Sequence, residues 1–358
     1  MHADNIKLAT DNLLFDCSDL KSGDSLLIVY ENPELGWYEK GLADIIAKAA
    51  ENSGISTQLL EVGAPKNQKD QNVIDAMANH GCTLFLARIG DQDRFATPTP
   101  GKKIIMCYIR DIEMLTSQFG CLPYQATLDM KLAIDQLVDN MTEIKIQCAL
   151  GTDCSVKPEP GESSANNEVT VRRFPMGVIS PIDGRSLNGR VVLANYLTPT
   201  GSGVYEPANL ALENPIFAEV KNGRIIKFTG EDNTVKKVGQ HYQNVANQFG
   251  IDANAIHSWH LGMHPGLSYS QKASDDPDRW SNTVFNHPRF AHFHTCGNYA
   301  PGEICWMLKD PTVSLDGRAL WQAGRLNGEA FELTANVLER WPVLKEPYAE
   351  PAGKTGLS

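Results

Sequence analysis

No stretch of the 358 residues approaches the ~18–20 consecutive apolar residues that cross a bilayer, so a membrane-spanning helix is not expected. Positive charge is scarce as well. The formal net charge is −11 and no basic stripe stands out, which argues against a nucleic-acid partner. No GxGxxG follows the first strand-like run and no GxxxxGKS/T occurs anywhere, so the chain offers no phosphate-cradling loop. The eight cysteines form no CxxC pair and sit mostly in apolar runs such as IIMCYI and IQCAL, as small buried hydrophobes of a reduced protein do. The opening MHADNIKLATDNLLF lacks the charged-then-apolar order of a signal peptide, and a cytoplasmic location is expected. With 42% hydrophobic and 21% charged residues, the composition is that of an ordinary globular protein.

What the chain has in excess is histidine in one place. Six of its nine histidines fall between His257 and His294. Neutral imidazole offers one lone pair to a borderline metal, so this crowding points to metal binding. His292 and His294 are two residues apart, and on a β-strand both rings would leave the same face. His260 would arrive from another element, giving three ligands and open coordination positions. His257 and His264 are read as proton shuttles, outer donors or solvated loop residues, and His287, before Pro288, as a local hydrogen bonder. Cys296, two residues past His294, is a possible thiolate ligand. Trp259, Phe293 and Trp306 are either pocket walls or core. The acidic run 274–278 reads as a capped loop, and Arg279 and Arg289 as either substrate-pairing or salt-bridge residues.

The first ~150 residues alternate short apolar runs with helical periodicity, the pattern of βαβ units and a mostly parallel sheet. Strands are expected at 25–30, 56–62, 83–89 and 103–109, with helices at 38–54, 72–81 and 126–141. This α/β scaffold domain is expected to span 1–150. Composition turns polar near Gly151, and glycine-punctuated alternating runs follow, including Asn222-Gly223 between two strand-like stretches, a strong hairpin signal. Helices are expected at 241–250 and 329–341. Residues 151–358 are thus expected to form a β-rich α+β metal-binding domain carrying the catalytic site.

Several motifs occur in an order that resembles a known family. DLKSGDSLLIVYE at 19–31, the helix ending in AAENSG, GTD at 151–153, FPMGVISPIDGRSLNG at 174–189 and VKNGRIIKFTGE at 220–231 look like the metallo-aminopeptidases of the aminopeptidase T family. They equally resemble its relatives, the 2,5-dihydroxypyridine 5,6-dioxygenases. The resemblance covers most of the chain. The peptidases carry a metal-binding glutamate after Pro-x-Gly, where this chain has Val178, and a second glutamate where it has His260. The dioxygenases place a histidine at that second position and use one iron. The shared late His-x-Asp motif matches His292-Phe293-His294, which puts His294 where the family has aspartate. The other register would make His294 the shared histidine and Cys296 the stand-in for aspartate.

The resemblance and the histidine pattern together predict a mononuclear non-haem Fe(II) dioxygenase that opens a hydroxylated pyridine or related aromatic ring, with O2 as co-substrate. His260, His292 and His294 are the expected ligands, and His257 or His264 would move protons near neutral pH. The resemblance also implies a homo-oligomer. The alternative is a mononuclear zinc hydrolase of aminopeptidase or amidohydrolase type, with Glu303 as general base to a metal-bound water.

Overall fold

The computed structural model describes all residues except 1, 67–69, 93, 95, 98, 159–168, 202, 204, 298–301 and 358. The chain divides into two units: Met1–Leu128 with Val169–Gly177 and Gly266–Ser268, and Asp129–Glu168 with Val178–Pro265 and Tyr269–Ser358. The division falls at Leu128, inside the helix Tyr124–Asp139, earlier than the change in composition near Gly151.

In the first unit, β1 (Ser25–Glu31), β2 (Ser56–Val62), β3 (Cys82–Leu86), β4 (Lys103–Cys107) and β7 (Arg172–Phe174) form an all-parallel sheet in the order β2-β1-β3-β4-β7. Parallel strands covered on both faces read as continuous apolar runs, and Leu26, Leu27, Ile28 and Val29 of β1 are all fully buried. The strand order reverses between β1 and β3, the point at which open α/β sheets usually take ligands. Here that point holds an ion pair between a buried glutamate and a half-buried arginine. Glu31 at the end of β1 receives Arg88 Nε at 3.0 Å and Nη2 at 2.7 Å, and the guanidinium lies 4.3 Å from the centre of the Trp37 ring. β7 was not expected here. The sequence pattern placed its residues with the β-rich half, because three residues carry no periodicity that names a partner strand.

The second unit holds a 12-stranded sheet. Its strands are β5 (Ile144–Gln147), β6 (Asp153–Val156), β8 (Ile182–Asp183), β9 (Asn188–Thr198), β10 (Leu210–Lys221), β11 (Arg224–Thr229), β12 (Ile256–Leu261), β13 (Phe290–Thr295), β14 (Ile304–Lys309), β15 (Thr312–Leu315), β16 (Arg318–Gln322) and β17 (Arg325–Leu326). They run in the order β17-β16-β15-β5-β6-β9-β14-β13-β12-β8, with β10 pairing β9 and β11. Asn222 and Gly223 join β10 to β11 with φ of 48° and 65°, the left-handed pair that a two-residue hairpin needs.

The helix Asp232–Phe249 begins nine residues earlier than periodicity suggests. Glu231 caps it, accepting from the amides of Asn233 and Thr234, and Gly250 ends it at φ 65°. It packs on one face of the sheet through a buried relay. Trp306 Nε1 donates to the Tyr242 hydroxyl at 2.6 Å, that hydroxyl meets Thr295 Oγ1 at 2.5 Å, and Thr295 donates to the Ile304 carbonyl. Trp259, Phe293 and Trp306 stack in a row across β12, β13 and β14, with neighbouring ring centres 5.8 Å apart. In register they alternate with the histidines, so they belong to the sheet's other face and form core rather than pocket wall. No helix among the described residues is long and apolar enough to cross a membrane.

Candidate metal centre

Strand pairing assembles the histidines. β12 and β13 run antiparallel with His260 directly opposite His292 and Ser258 opposite His294. Directly opposed residues share a face, as do residues two apart on one strand. His260, His292 and His294 therefore leave the sheet on the same side. The ring centres are 4.9 Å apart for His260–His292, 4.6 Å for His292–His294 and 5.3 Å for His260–His294. One nitrogen from each ring lies within 4.8 Å of the other two, and the group contains no carboxylate. Nδ1 of His292 faces Nε2 of His260 at 3.2 Å. Metal–nitrogen arms of ~2.0–2.1 Å place neighbouring ligand nitrogens about 3 Å apart, so this pair already has the separation a shared cation requires. His260 and His292 are 6% and 4% exposed.

The cover over this face is local in sequence. Asp276 accepts from the amide of Arg279 and caps the helix Pro277–Val284, so the acidic run serves the capping role expected of it. Thr198, fully buried, lies on the histidine side through its pairing with Cys305, and its hydroxyl donates to Ser281 of that helix at 2.7 Å. Phe285, just past the helix, sets its ring 5.8 Å from the centres of both His260 and His292. Gly262, one residue beyond β12, passes so close to the 285–287 backbone that a Cβ there would lie 2.2 Å from the His287 carbonyl oxygen and 2.5 Å from that of Phe285. Backbone cannot yield as a side-chain tip can. Gly262→Ala should therefore cost about 1–3 kcal/mol, the usual range for overpacking, read as a lowered urea midpoint.

The remaining candidates occupy other positions. Cys296 is buried with φ 63° and its thiol points to the Tyr242 carbonyl at 3.8 Å. Burial pushes that thiol up to about 12, away from the thiolate a metal would need. His287 is the local hydrogen bonder expected: the Arg289 amide donates to its Nδ1 at 3.1 Å, which leaves Nε2–H to donate to the Ala352 carbonyl at 2.7 Å. His264 is fully buried, and burial first, then neighbouring His287, lowers it to about 3. His257 is half-buried at the bulge between Ile256 and Ser258, outside the three-ring group. Arg289 forms a two-pronged ion pair with Asp310 at 2.5 and 2.6 Å, and Arg279, buried, bonds Gln271 at 2.9 Å. Arg289 thus has the salt-bridge partner that its sequence reading allowed.

Glu303 lies just before β14, 2% exposed, with one carboxylate oxygen 3.3 Å from His294 Nδ1. Cys305 Sγ is 3.9 Å from the same nitrogen. No local signal in the sequence links Cys305 to His294; the β13–β14 register alone sets it opposite that residue.

No family model and no curated sequence matches the chain. Solved structures do. The chain is similar to 2,5-dihydroxypyridine dioxygenase from Pseudomonas putida KT2440, at 14% identity and a TM-score of 0.64, over 93% of this chain and 99% of that one. It is also similar to wild-type AmpT from Thermus thermophilus, at 12% identity and a TM-score of 0.55, over 91% of this chain and all of that one. The chain thus has the fold common to the two proteins that its motif order resembles.

Proposed function

We propose that His260, His292 and His294 hold ferrous iron and that the protein is a ring-opening dioxygenase for a hydroxylated pyridine or related aromatic. The observation that supports this most is the convergence of three imidazoles, two buried and the third half-buried, on one sheet face with no carboxylate among them. Neutral ligands leave a divalent ion its full charge, which favours an anionic chelating substrate such as a deprotonated hydroxypyridine. Ferrous iron suits imidazole ligands with open positions, where such an anion and O2 can meet. The fold of a 2,5-dihydroxypyridine dioxygenase, shared over nearly the whole length, agrees with this chemistry.

The residues of the chain then have distinct work. The backbone pairing of β12 with β13 holds two of the nitrogens at ligand separation before any metal arrives. Phe285 and the Thr198–Ser281 contact keep bulk water from the buried side of the rings. Protein loaded with ferrous iron under anaerobiosis should consume O2 on exposure to air with at least one member of a panel of hydroxypyridines and hydroxylated aromatics, with loss of the ring's ultraviolet absorbance. Iron-loaded protein that consumes no O2 with any of them overturns the reading.

A zinc hydrolase is the second reading, supported by the buried carboxylate of Glu303 beside the rings and by the fold shared with AmpT. Metal analysis of protein purified without added metal separates the two. Zinc at one equivalent, with amide hydrolysis and no O2 uptake, would establish the hydrolase.

A further inference from the structure

We infer that Glu303 is a positioning residue for the metal centre, acting through His294 rather than on water or on the metal. The inference rests on the three-histidine reading above and extends it to the protonation state and charge of the site.

The geometry begins with the two nitrogens of His294. A neutral imidazole carries one N–H and one lone pair, and the partner of the N–H decides which nitrogen is left to ligate. Around Nδ1 stand the Glu303 carboxylate at 3.3 Å and Cys305 Sγ at 3.9 Å. A carboxylate only accepts, and a thiol sulfur accepts weakly. With the Glu303 carboxylate ionised and the nearer of the two, we assign the proton to Nδ1 and leave the lone pair on Nε2. The neighbouring pair differs: His292 and His260 face each other through Nδ1 and Nε2.

Glu303 is built to stay where it is. The Tyr205 hydroxyl donates to its backbone carbonyl at 2.8 Å, and Thr295 donates to the carbonyl of the next residue, Ile304, also at 2.8 Å. Both donors are buried. Because β13 and β14 are paired from Thr295–Ile304 onward, the carboxylate enters alongside His294 from the strand next door. A carboxylate that holds a ligand's N–H fixes the ring's tautomer and rotation and makes the imidazole a better donor. When ionised, it also brings one negative charge to a site whose three ligands supply none. Those roles differ from that of a general base, which must reach a substrate or water rather than the back of a ligand.

Metal-free wild type, Glu303→Gln and Glu303→Ala should be titrated with Co(II) against a chromophoric chelator, and the Co(II) forms examined by proton NMR. Alanine should weaken metal binding about 10- to 100-fold, the range for lost outer partners of metal-bound histidine. Glutamine keeps an acceptor oxygen without the charge, and should fall between alanine and wild type. In wild type, one hyperfine-shifted, exchangeable N–H resonance, absent from His294→Ala, should persist in water, and in Glu303→Ala it should be lost to rapid exchange. A structural role alone would not move that signal, and the isosteric glutamine variant serves if alanine fails to fold. Variants that bind Co(II) as wild type does, with the resonance intact, overturn the inference while leaving the three-histidine reading in place. Wild type that binds no metal overturns both.

Discussion

Replacing His292 with alanine should weaken metal binding about a thousandfold. Structural zinc sites with four ligands gain ~10–16 kcal/mol, so each ligand accounts for about 2.5–4 kcal/mol, the upper end of which is three decades in affinity. His292 is central to the cluster: it is the ring within 5 Å of both partners, centre to centre, and one of the two whose nitrogens already face each other at 3.2 Å. The measurement is metal content after dialysis, followed by a competition titration. His287→Ala is the matched control, since both nitrogens of His287 are occupied by backbone groups. The control variant should keep its metal. Should His292→Ala bind metal as tightly as wild type, the convergence of the three rings has no role in metal binding.

Stability of the metal-free protein should fall steeply as pH drops from about 6.5 toward 4. Burial lowers His241 to about 4, His264 to about 3 and His287 to about 4, from an ordinary value of 6.5. The unfolded chain takes up protons at these positions below 6.5, whereas the folded protein refuses them until far lower. Below 6.5 the unfolded state binds more protons, so stability rises with pH and is lost on acidification. One proton of difference is worth about 1.4 kcal/mol per pH unit, and three together about 4 kcal/mol per unit at the steepest. Asp91 works in the opposite sense, since burial raises its carboxyl. Carboxylates that are lowered, such as Asp252 and Asp316, lose their contribution only below their own ordinary range. Urea midpoints at pH 7.5, 6.5, 5.5 and 5 would show the slope, and His241→Asn should reduce it by about one third. A flat profile across that interval would mean that these imidazoles are protonated in the folded protein.

Much of the scaffold is legible in local pattern. Expected strands at 25–30, 56–62, 83–89 and 103–109 correspond to Ser25–Glu31, Ser56–Val62, Cys82–Leu86 and Lys103–Cys107. A buried parallel strand has no polar face, so an unbroken apolar run is itself the signal. The short pairing of Arg172–Phe174 with β4 was not legible, nor was the division at Leu128, because both depend on which distant segment lies alongside. The acidic run 274–278 reads as a loop with a capping role; Asp276 does cap, but Pro277 and Asp278 already belong to the helix Pro277–Val284, which forms where a sheet face receives the buried side of its turns.

The sequence by itself determined the candidate ligands. Two histidines at a spacing of two must share a side of any strand that contains them, and a third in a nearby apolar run needs only an antiparallel neighbour to join them. Tertiary structure alone decided the rest: that His260 stands across from His292, that the tryptophans interleaved with them face away, and that a glutamate nine residues past His294 returns to within 3.3 Å of its ring. Residue spacing encodes which side of one strand a group occupies, whereas cross-strand register, which sets what it touches, is a long-range choice made when the sheet closes.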